Sequence, residues 1–189
     1  MLRKVSVLLA MIVFLLTAAT ADAGYAMKLR KYTEHGRIYS VKNFDAKLVW
    51  HVTFFSDDFR KAFEEKHVKL HHMEDQMEIS QYLAEQEHEQ RAGWDFFVGF
   101  YTKQEYKQFS SESDSFWKIH LTTGSGEVIK PIAMEMIPIG PYEKKMFPYL
   151  NRWSKAYRIT FPKVDLGDKV TLTARSVAGK SVLKWKLKK

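Results

Sequence analysis

Residues 48–58 read Leu-Val-Trp-His-Val-Thr-Phe-Phe-Ser-Asp-Asp, and two structural patterns meet inside this stretch. Up to Phe54, large apolar side chains alternate with His51 and Thr53, which is the period-two pattern of a β-strand with one buried face. Ser56 and the two aspartates after it are typical of a helix start, because a serine hydroxyl caps free backbone N–H groups and negative charge is favourable there. The stretch therefore predicts a strand that runs almost directly into a helix.

The same alternation continues on the C-terminal side, where glycine-containing turn signals separate one apolar run from the next. Such punctuation predicts roughly eight or nine short antiparallel strands. We therefore expect a mainly β protein, an antiparallel β-sandwich with the immunoglobulin-like arrangement as one candidate, in a single domain over residues 24–189. The further alternating segments are residues 94–100, 117–121, 157–161, 170–174 and 183–187.

Residues 57–92 break this alternation and carry a helical pattern instead. A single helix over this range would be about 55 Å long, which exceeds the width of a domain of this size. The apolar positions also change sides of the helical wheel after Met77, so we expect two helices with a break near residues 72–76. Asp75 and Glu78 would cap the second helix. The first apolar stripe consists of Phe59, Phe63, Leu70, Met73 and Met77.

The N-terminus has the three parts of a secretory signal peptide. Arg3 and Lys4 precede an apolar run over residues 5–19, and small residues follow at Ala21 and Ala23. The run is shorter than the roughly 20 residues that span a bilayer. We predict a signal peptide over residues 1–23 with cleavage after Ala23, or after Ala21, and no stable membrane span afterwards; an uncleaved anchor helix is the alternative.

The composition restricts both the chemistry and the compartment. The 189 residues include no cysteine and carry a formal net charge of +8. Disulfides, cysteine-based metal sites and cysteine nucleophiles are therefore excluded. An exported chain with neither cysteine nor an Asn-x-Ser/Thr sequon indicates a bacterial periplasmic or secreted protein.

The charge is divided unevenly along the chain. Residues 130–189 hold fourteen basic and four acidic side chains, whereas residues 56–92 hold five basic and ten acidic ones. One interpretation is that the acidic helical segment packs against the basic strands. The other is a basic face for an anionic glycan, lipid headgroups or nucleic acid, of which nucleic acid is least expected for an exported protein.

Two histidines in the helical segment are candidate metal ligands. His67 and His71 are four residues apart, so they share a helix face, and Glu74 extends that face. The pair lacks the glutamate of a His-Glu-x-x-His motif, so no metalloprotease base is present. The alternative is that these side chains form the solvated margin of an exposed helix.

Residues 138–154 form an aromatic, proline-rich segment that is incompatible with a central strand. Tyr149 and Trp153 are candidate ligand-binding residues, because aromatic rings stack on sugar faces, and Arg152 would hold an anionic group. The alternative is that these rings close one end of the sandwich.

Catalytic motifs are absent from the sequence, so no catalytic residue and no cofactor is predicted. Gly124-Ser125-Gly126 lacks the spacing of a nucleophile elbow and suits a hairpin turn, and no phosphate-binding glycine pattern occurs. We expect a non-enzymatic exported binding or structural module of the bacterial cell envelope, with an envelope protein or an anionic glycan as partner. The alternatives are a metal-dependent protein that uses the histidine pair, and a hydrolase whose carboxylates converge only in three dimensions.

Overall fold

The computed structural model describes residues 23–41, 45–102 and 115–187. The predicted signal peptide, except for residue 23, lies outside the described residues, as do the last two residues of the chain. No helix in the described residues has the length and apolar character needed to cross a membrane. The elements are α1 (23–32), β1 (Thr33–Tyr39), β2 (Ala46–Phe54), α2 (Asp57–Leu70), α3 (Gln76–Ala92), β3 (Gly93–Tyr101), β4 (Lys118–Thr122), β5 (Val128–Ile129), β6 (Ala133–Ile137), α4 (Pro141–Met146), β7 (Lys155–Pro162), β8 (Lys169–Ser176) and β9 (Gly179–Lys186).

The strands form two antiparallel sheets. One has the order β1-β2-β3-β7-β6 and the other β5-β4-β8-β9. If β2 is taken as strand A of the immunoglobulin fold, then β3, β7 and β6 take the positions of strands B, E and D in the first sheet. In the second sheet, β4, β8 and β9 take the positions of strands C, F and G, and β5 takes that of strand C′. β1 is an additional strand beside the A position. The predicted β-sandwich is confirmed, and its strand order is the immunoglobulin-like one.

The main core lies between the two sheets, where the alternation of the strands directs their large apolar side chains. Trp50 of β2 and Phe96 of β3 are completely buried there. Trp117, also completely buried, comes directly before β4, near the position of the buried tryptophan of immunoglobulin domains. The strand pattern of the sequence and the observed burial therefore agree.

The helical insertion is present between β2 and β3. The Ser56 hydroxyl accepts a hydrogen bond from the backbone N–H of Phe59 at 3.2 Å, and Asp75 caps α3 by accepting from the N–H of Met77 at 2.8 Å. Residues 71–75 separate the two helices, and His72 adopts a left-handed φ of 51° there. The predicted break and the capping roles of Ser56 and Asp75 are confirmed, and the capping role of Glu78 stays a prediction.

A second core covers the outer face of the five-stranded sheet, so the protein has three layers. The hydroxyl of Tyr25 in α1 donates to the carbonyl of Met146 at 2.8 Å. Asp58 of α2 accepts from Lys28, Lys31 and Tyr32, and these contacts hold the pKa of its carboxyl well below the usual range. The buried residues of this second core are Tyr25, Leu29, Phe55, Phe59, Phe63, Phe97, Met146, Phe147, Leu150 and Ala156.

Helix α3 packs differently from α2. Phe59 and Phe63 of α2 are buried, but Met77 of α3 is 77% exposed and Leu83 is 40% exposed. Gln86 is the buried residue of α3. The predicted apolar stripe thus holds for Phe59 and Phe63 of α2, whereas its member Met77 lies on the exposed surface of α3. Helix α3 is attached to the rest of the protein mainly through polar side chains.

Candidate functional sites

The predicted histidine pair lies near the end of α2. The rings of His67 and His71 are 4.3 Å apart between centroids, and His67 Nδ1 lies 2.6 Å from the hydroxyl oxygen of Tyr142. Burial and the neighbouring His71 lower the pKa of His67, which favours a neutral imidazole, while Glu74 is exposed in the connection to α3. In residues 23–41, 45–102 and 115–187, no group of three or more histidine, aspartate and glutamate side chains is placed to hold a metal ion. A metal role for His67, His71 and Glu74 stays a prediction.

The aromatic segment divides between core and surface. Phe147 and Leu150 are buried in the second core, whereas Trp153 is 64% exposed and lies 4.7 Å from the guanidinium of Arg152. Tyr149 is half-buried, and its hydroxyl is hydrogen-bonded to a threonine of β2. The three predicted ligand-binding residues therefore separate into Tyr149, packed on the sheet, and an exposed Arg152–Trp153 pair.

Tyr149 completes a row of rings on the outer face of the five-stranded sheet. His35 stacks on His51 at 5.8 Å, and His51 stacks on Tyr149 at 5.2 Å. Gly99 of β3 makes room for this arrangement, because a Cβ atom there would lie 3.0 Å from the Tyr149 ring and 2.6 Å from Leu150. Strand alternation alone places His35 and His51 on one face, but no local signal in the sequence links them to Tyr149.

His51 is the central ring of this row. Burial lowers its pKa, and the nearby His35 and Arg37 lower it further. The imidazole therefore stays neutral at pH 7. In the row of rings, His51 therefore contributes a flat, polarisable surface for stacking rather than a positive charge.

A cavity of about 250 Å³ adjoins the ring row. One wall is fixed by a chain of hydroxyl groups, in which Thr33 is hydrogen-bonded to Thr53 at 2.7 Å and Thr53 to Tyr149 at 2.8 Å. No acidic side chain lines this cavity, so it gives the hydrolase hypothesis no pair of carboxylates. The lining residues are Ala26, Leu29, Arg30, Thr33, Pro148 and Tyr149.

A buried ionic network lies between the helical hairpin and the sheet. Arg60, 2% exposed, donates to Asp95 at 2.7 Å, and Asp95 also accepts from Thr160 at 2.7 Å. On α3, Glu89 pairs with Arg158 of β7 at 3.0 Å. These ion pairs attach the mostly exposed α3 to the five-stranded sheet. Because they join side chains of different helices and strands, we assign the network a structural role.

The outer face of the four-stranded sheet is rich in positive charge. Its outward strand positions hold six basic side chains and, within β4, β5, β8 and β9, no acidic one. We call this surface the cationic face. Its basic residues are Lys118, Lys169, Arg175, Lys180, Lys184 and Lys186.

Several of these cations lie directly opposite one another on neighbouring strands. Arg175 of β8 is paired with Lys118 of β4 and with Lys180 of β9, and Lys169 is paired with Lys186. Like charges in such positions destabilise a sheet. Burial and the positive charges of Lys180 and Arg175 also lower the pKa of His120 on the same face.

The cationic face and the acidic helical hairpin lie on opposite sides of the sandwich, because the helices cover the outer face of the other sheet. The hairpin nevertheless contacts the basic segment of residues 130–189 at β7, where Glu89 pairs with Arg158 at 3.0 Å. The predicted packing of the acidic helices on basic strands is therefore supported at β7, and it does not account for the cations of β8 and β9.

Comparisons of this chain with protein-family models, with curated proteins and with solved structures find no match.

Proposed function

We propose that this protein is a non-enzymatic binding module of the bacterial cell envelope, exported by its signal peptide, that holds an anionic glycan on the cationic face. The observation that supports the proposal is the direct cross-strand pairing of cations, Arg175 with Lys180 and Lys169 with Lys186. A sheet face with no carboxylate between such pairs has an unfavourable electrostatic energy on its own. A bound polyanion removes that repulsion.

The spacing of the face suits an extended chain of negative charges. Outward side chains recur about every 6.8 Å along a strand and about every 4.8 Å between strands, so the face presents a flat lattice of cations. Lysine supplies mobile point charges rather than a fixed fork. This combination favours a polymer with repeated charges over a single small anion.

The neutral residues of the cationic face favour a glycan among the anionic polymers. Thr122 and Thr171 lie between the cations and offer hydroxyl groups to sugar hydroxyls. Apart from the imidazole of His120, the outward positions of β4, β5, β8 and β9 contain no aromatic ring of the kind on which single-stranded nucleic acid stacks. Their exposed apolar side chains are Val128 and Val182, and they include no Trp, Phe or Leu of the kind with which a membrane-bound surface enters a lipid layer.

Fluorescence anisotropy with labelled polygalacturonate tests the proposal, with neutral dextran as the polymer control. In the test variant, four lysines of the cationic face are changed to glutamine: Lys169, Lys180, Lys184 and Lys186. In the matched control, four exposed lysines elsewhere receive the same change: Lys61, Lys144, Lys145 and Lys155. Both variants lose the same net charge, so they separate a specific face from general attraction.

We expect the test variant to bind about ten-fold or more weakly than the wild type, because each exposed ionic contact contributes a few tenths of a kcal/mol or more. The control should bind within about two-fold of the wild type, and binding should weaken as salt is added. An equal loss in both variants, or equal binding of dextran, would contradict the proposal.

A further inference from the structure

We infer that the cavity between α1 and Tyr149 is a second binding site, which takes a small anion whose body is a single aromatic ring or a short branched aliphatic chain. This site lies on the helical side of the five-stranded sheet, and the cationic face lies on the other sheet. The inference is therefore independent of the proposed function.

The size of the cavity limits the body of the ligand. The cavity is open to solvent, and its volume of about 250 Å³ leaves room for one ring, since an enclosed apolar cavity of roughly 150 Å³ already admits benzene; it is smaller than most sites for drug-sized molecules. Ala26, Leu29, Pro148 and the ring of Tyr149 supply a mainly apolar lining. One ring or a short branched chain fits this space.

The charge of the ligand follows from Arg30. This exposed residue lines the cavity, and it has no ion pair or hydrogen bond within the described residues. Its neighbours differ, because Lys28 and Lys31 are both paired with Asp58. A free guanidinium beside an apolar cavity is suited to a carboxylate, which it binds through two parallel hydrogen bonds.

The wall formed by Tyr149 is held in place before any ligand arrives. The hydroxyl of Tyr149 is hydrogen-bonded to Thr53, and the ring stacks on His51 and lies over Gly99. Because this hydroxyl already has a partner, the wall presents mainly the apolar ring to a ligand. A preformed wall also reduces the entropy lost on binding.

Two-dimensional amide NMR with two probes, phenylacetate and isovalerate, tests the inference. The amides of Ala26, Thr33 and Tyr149 report on the cavity, and phenylacetamide is the neutral control for the anionic group. Ala26→Trp fills the cavity from an exposed helix position, and Ala26→Leu is a smaller filler for the same purpose. Arg30→Gln removes the cation, and Arg91→Gln is the control at an exposed arginine of α3.

We expect saturable shifts of these three amides with phenylacetate, lost in the Ala26→Trp variant and reduced in Ala26→Leu. Arg30→Gln should weaken binding about ten-fold, whereas Arg91→Gln should leave it unchanged. Phenylacetamide should bind the wild type about as weakly as phenylacetate binds the Arg30→Gln variant. The four-lysine variant of the cationic face should retain binding, so this test and that of the glycan are distinguishable.

Two results would overturn the inference. The first is the absence of saturable shifts at these amides with both probes at millimolar concentration. The second is unchanged binding in both Ala26 variants, since a ligand in the cavity cannot tolerate a side chain that fills it. Equal affinity for phenylacetate and phenylacetamide, together with an unaffected Arg30→Gln variant, would overturn the assignment of an anionic ligand.

Discussion

At the scale of single residues, Arg60 is a charged side chain that is almost completely buried between the hairpin and the sheet. It is 2% exposed and is paired with Asp95, itself 5% exposed, at 2.7 Å. Asp95→Ala leaves a buried cation without its partner, so we expect the free energy of unfolding to fall by about 3–5 kcal/mol. Urea denaturation measures this change.

The matched control for that experiment is Arg91→Ala. Arg91 pairs with Glu87 at 2.5 Å within α3, but both side chains are more than half exposed. Its loss should be no more than about 0.5 kcal/mol. If Asp95→Ala cost no more than this control, Arg60 would have found solvent or another partner, and the buried Arg60–Asp95 pair would not hold α2 on the sheet.

The lowered pKa of His51 makes the free energy of unfolding depend on pH. Its pKa in the folded protein lies below the ordinary value of 6.5, because burial, His35 and Arg37 disfavour the charged form. Just below pH 6.5, His51 therefore binds more protons in the unfolded chain than in the folded protein. The stability that comes from keeping His51 neutral is fully present above that pH and is lost as the pH falls. The lowered pKa values of His67 and His120 act in the same direction.

We expect the free energy of unfolding, measured by urea titration between about pH 5 and pH 7.5, to rise with pH over this window. His51→Gln should flatten the slope, because it removes one of the titrating groups. His88→Gln is the control, since His88 is exposed on α3. Identical slopes for wild type and His51→Gln would show that His51 protonates equally well in the folded and unfolded states.

At the scale of elements, the pairing of β8 with β9 predicts a stabilising substitution. Lys180 lies directly opposite Arg175, and Lys180→Glu converts a repulsive cross-strand pair into an attractive one. We expect a gain of about 0.2–1 kcal/mol in thermal or urea unfolding, together with weaker binding of polygalacturonate. Lys155→Glu is the control, because the strand partner of Lys155 is Phe100. A loss of stability in Lys180→Glu alone would mean that Lys180 makes a favourable contact that a glutamate cannot replace.

The elements also show what local sequence patterns can predict. Ser56 and Asp75 cap their helices as their positions in the sequence indicate, since capping depends on backbone N–H groups within three residues. The position of α3 was less predictable, because its Met77 and Leu83 remain exposed. That helix is attached through Gln86 and Glu89, and polar contacts of this kind carry no hydrophobic periodicity.

At the scale of the whole molecule, the candidate sites depend on contacts between residues far apart in the chain. The alternation of β9 predicts that Lys184 and Lys186 point outward, but their position among other cations depends on the sheet order β4-β8-β9. The ring row likewise joins His35 and His51 to Tyr149, which is 98 residues after His51 in the chain. Charge counts indicated an acidic segment and a basic one, and the three-layer arrangement determines that the cations of β8 and β9 face away from the acidic helices.

The three-layer arrangement also limits how much of the N-terminus signal cleavage can remove. Tyr25 and Leu29 of α1 are buried in the second core, and the hydroxyl of Tyr25 is bonded to Met146. The helical layer thus needs the chain from about residue 25 onward, while the apolar run over residues 5–19 is the predicted export signal. We expect the protein purified from the periplasm or medium of a bacterial host to begin at Gly24, as measured by N-terminal sequencing and intact mass. A start at Asp22 would indicate cleavage after Ala21. An intact Met1 would contradict the predicted cleavage, and a start beyond Tyr25 would contradict the requirement for Tyr25 in the second core.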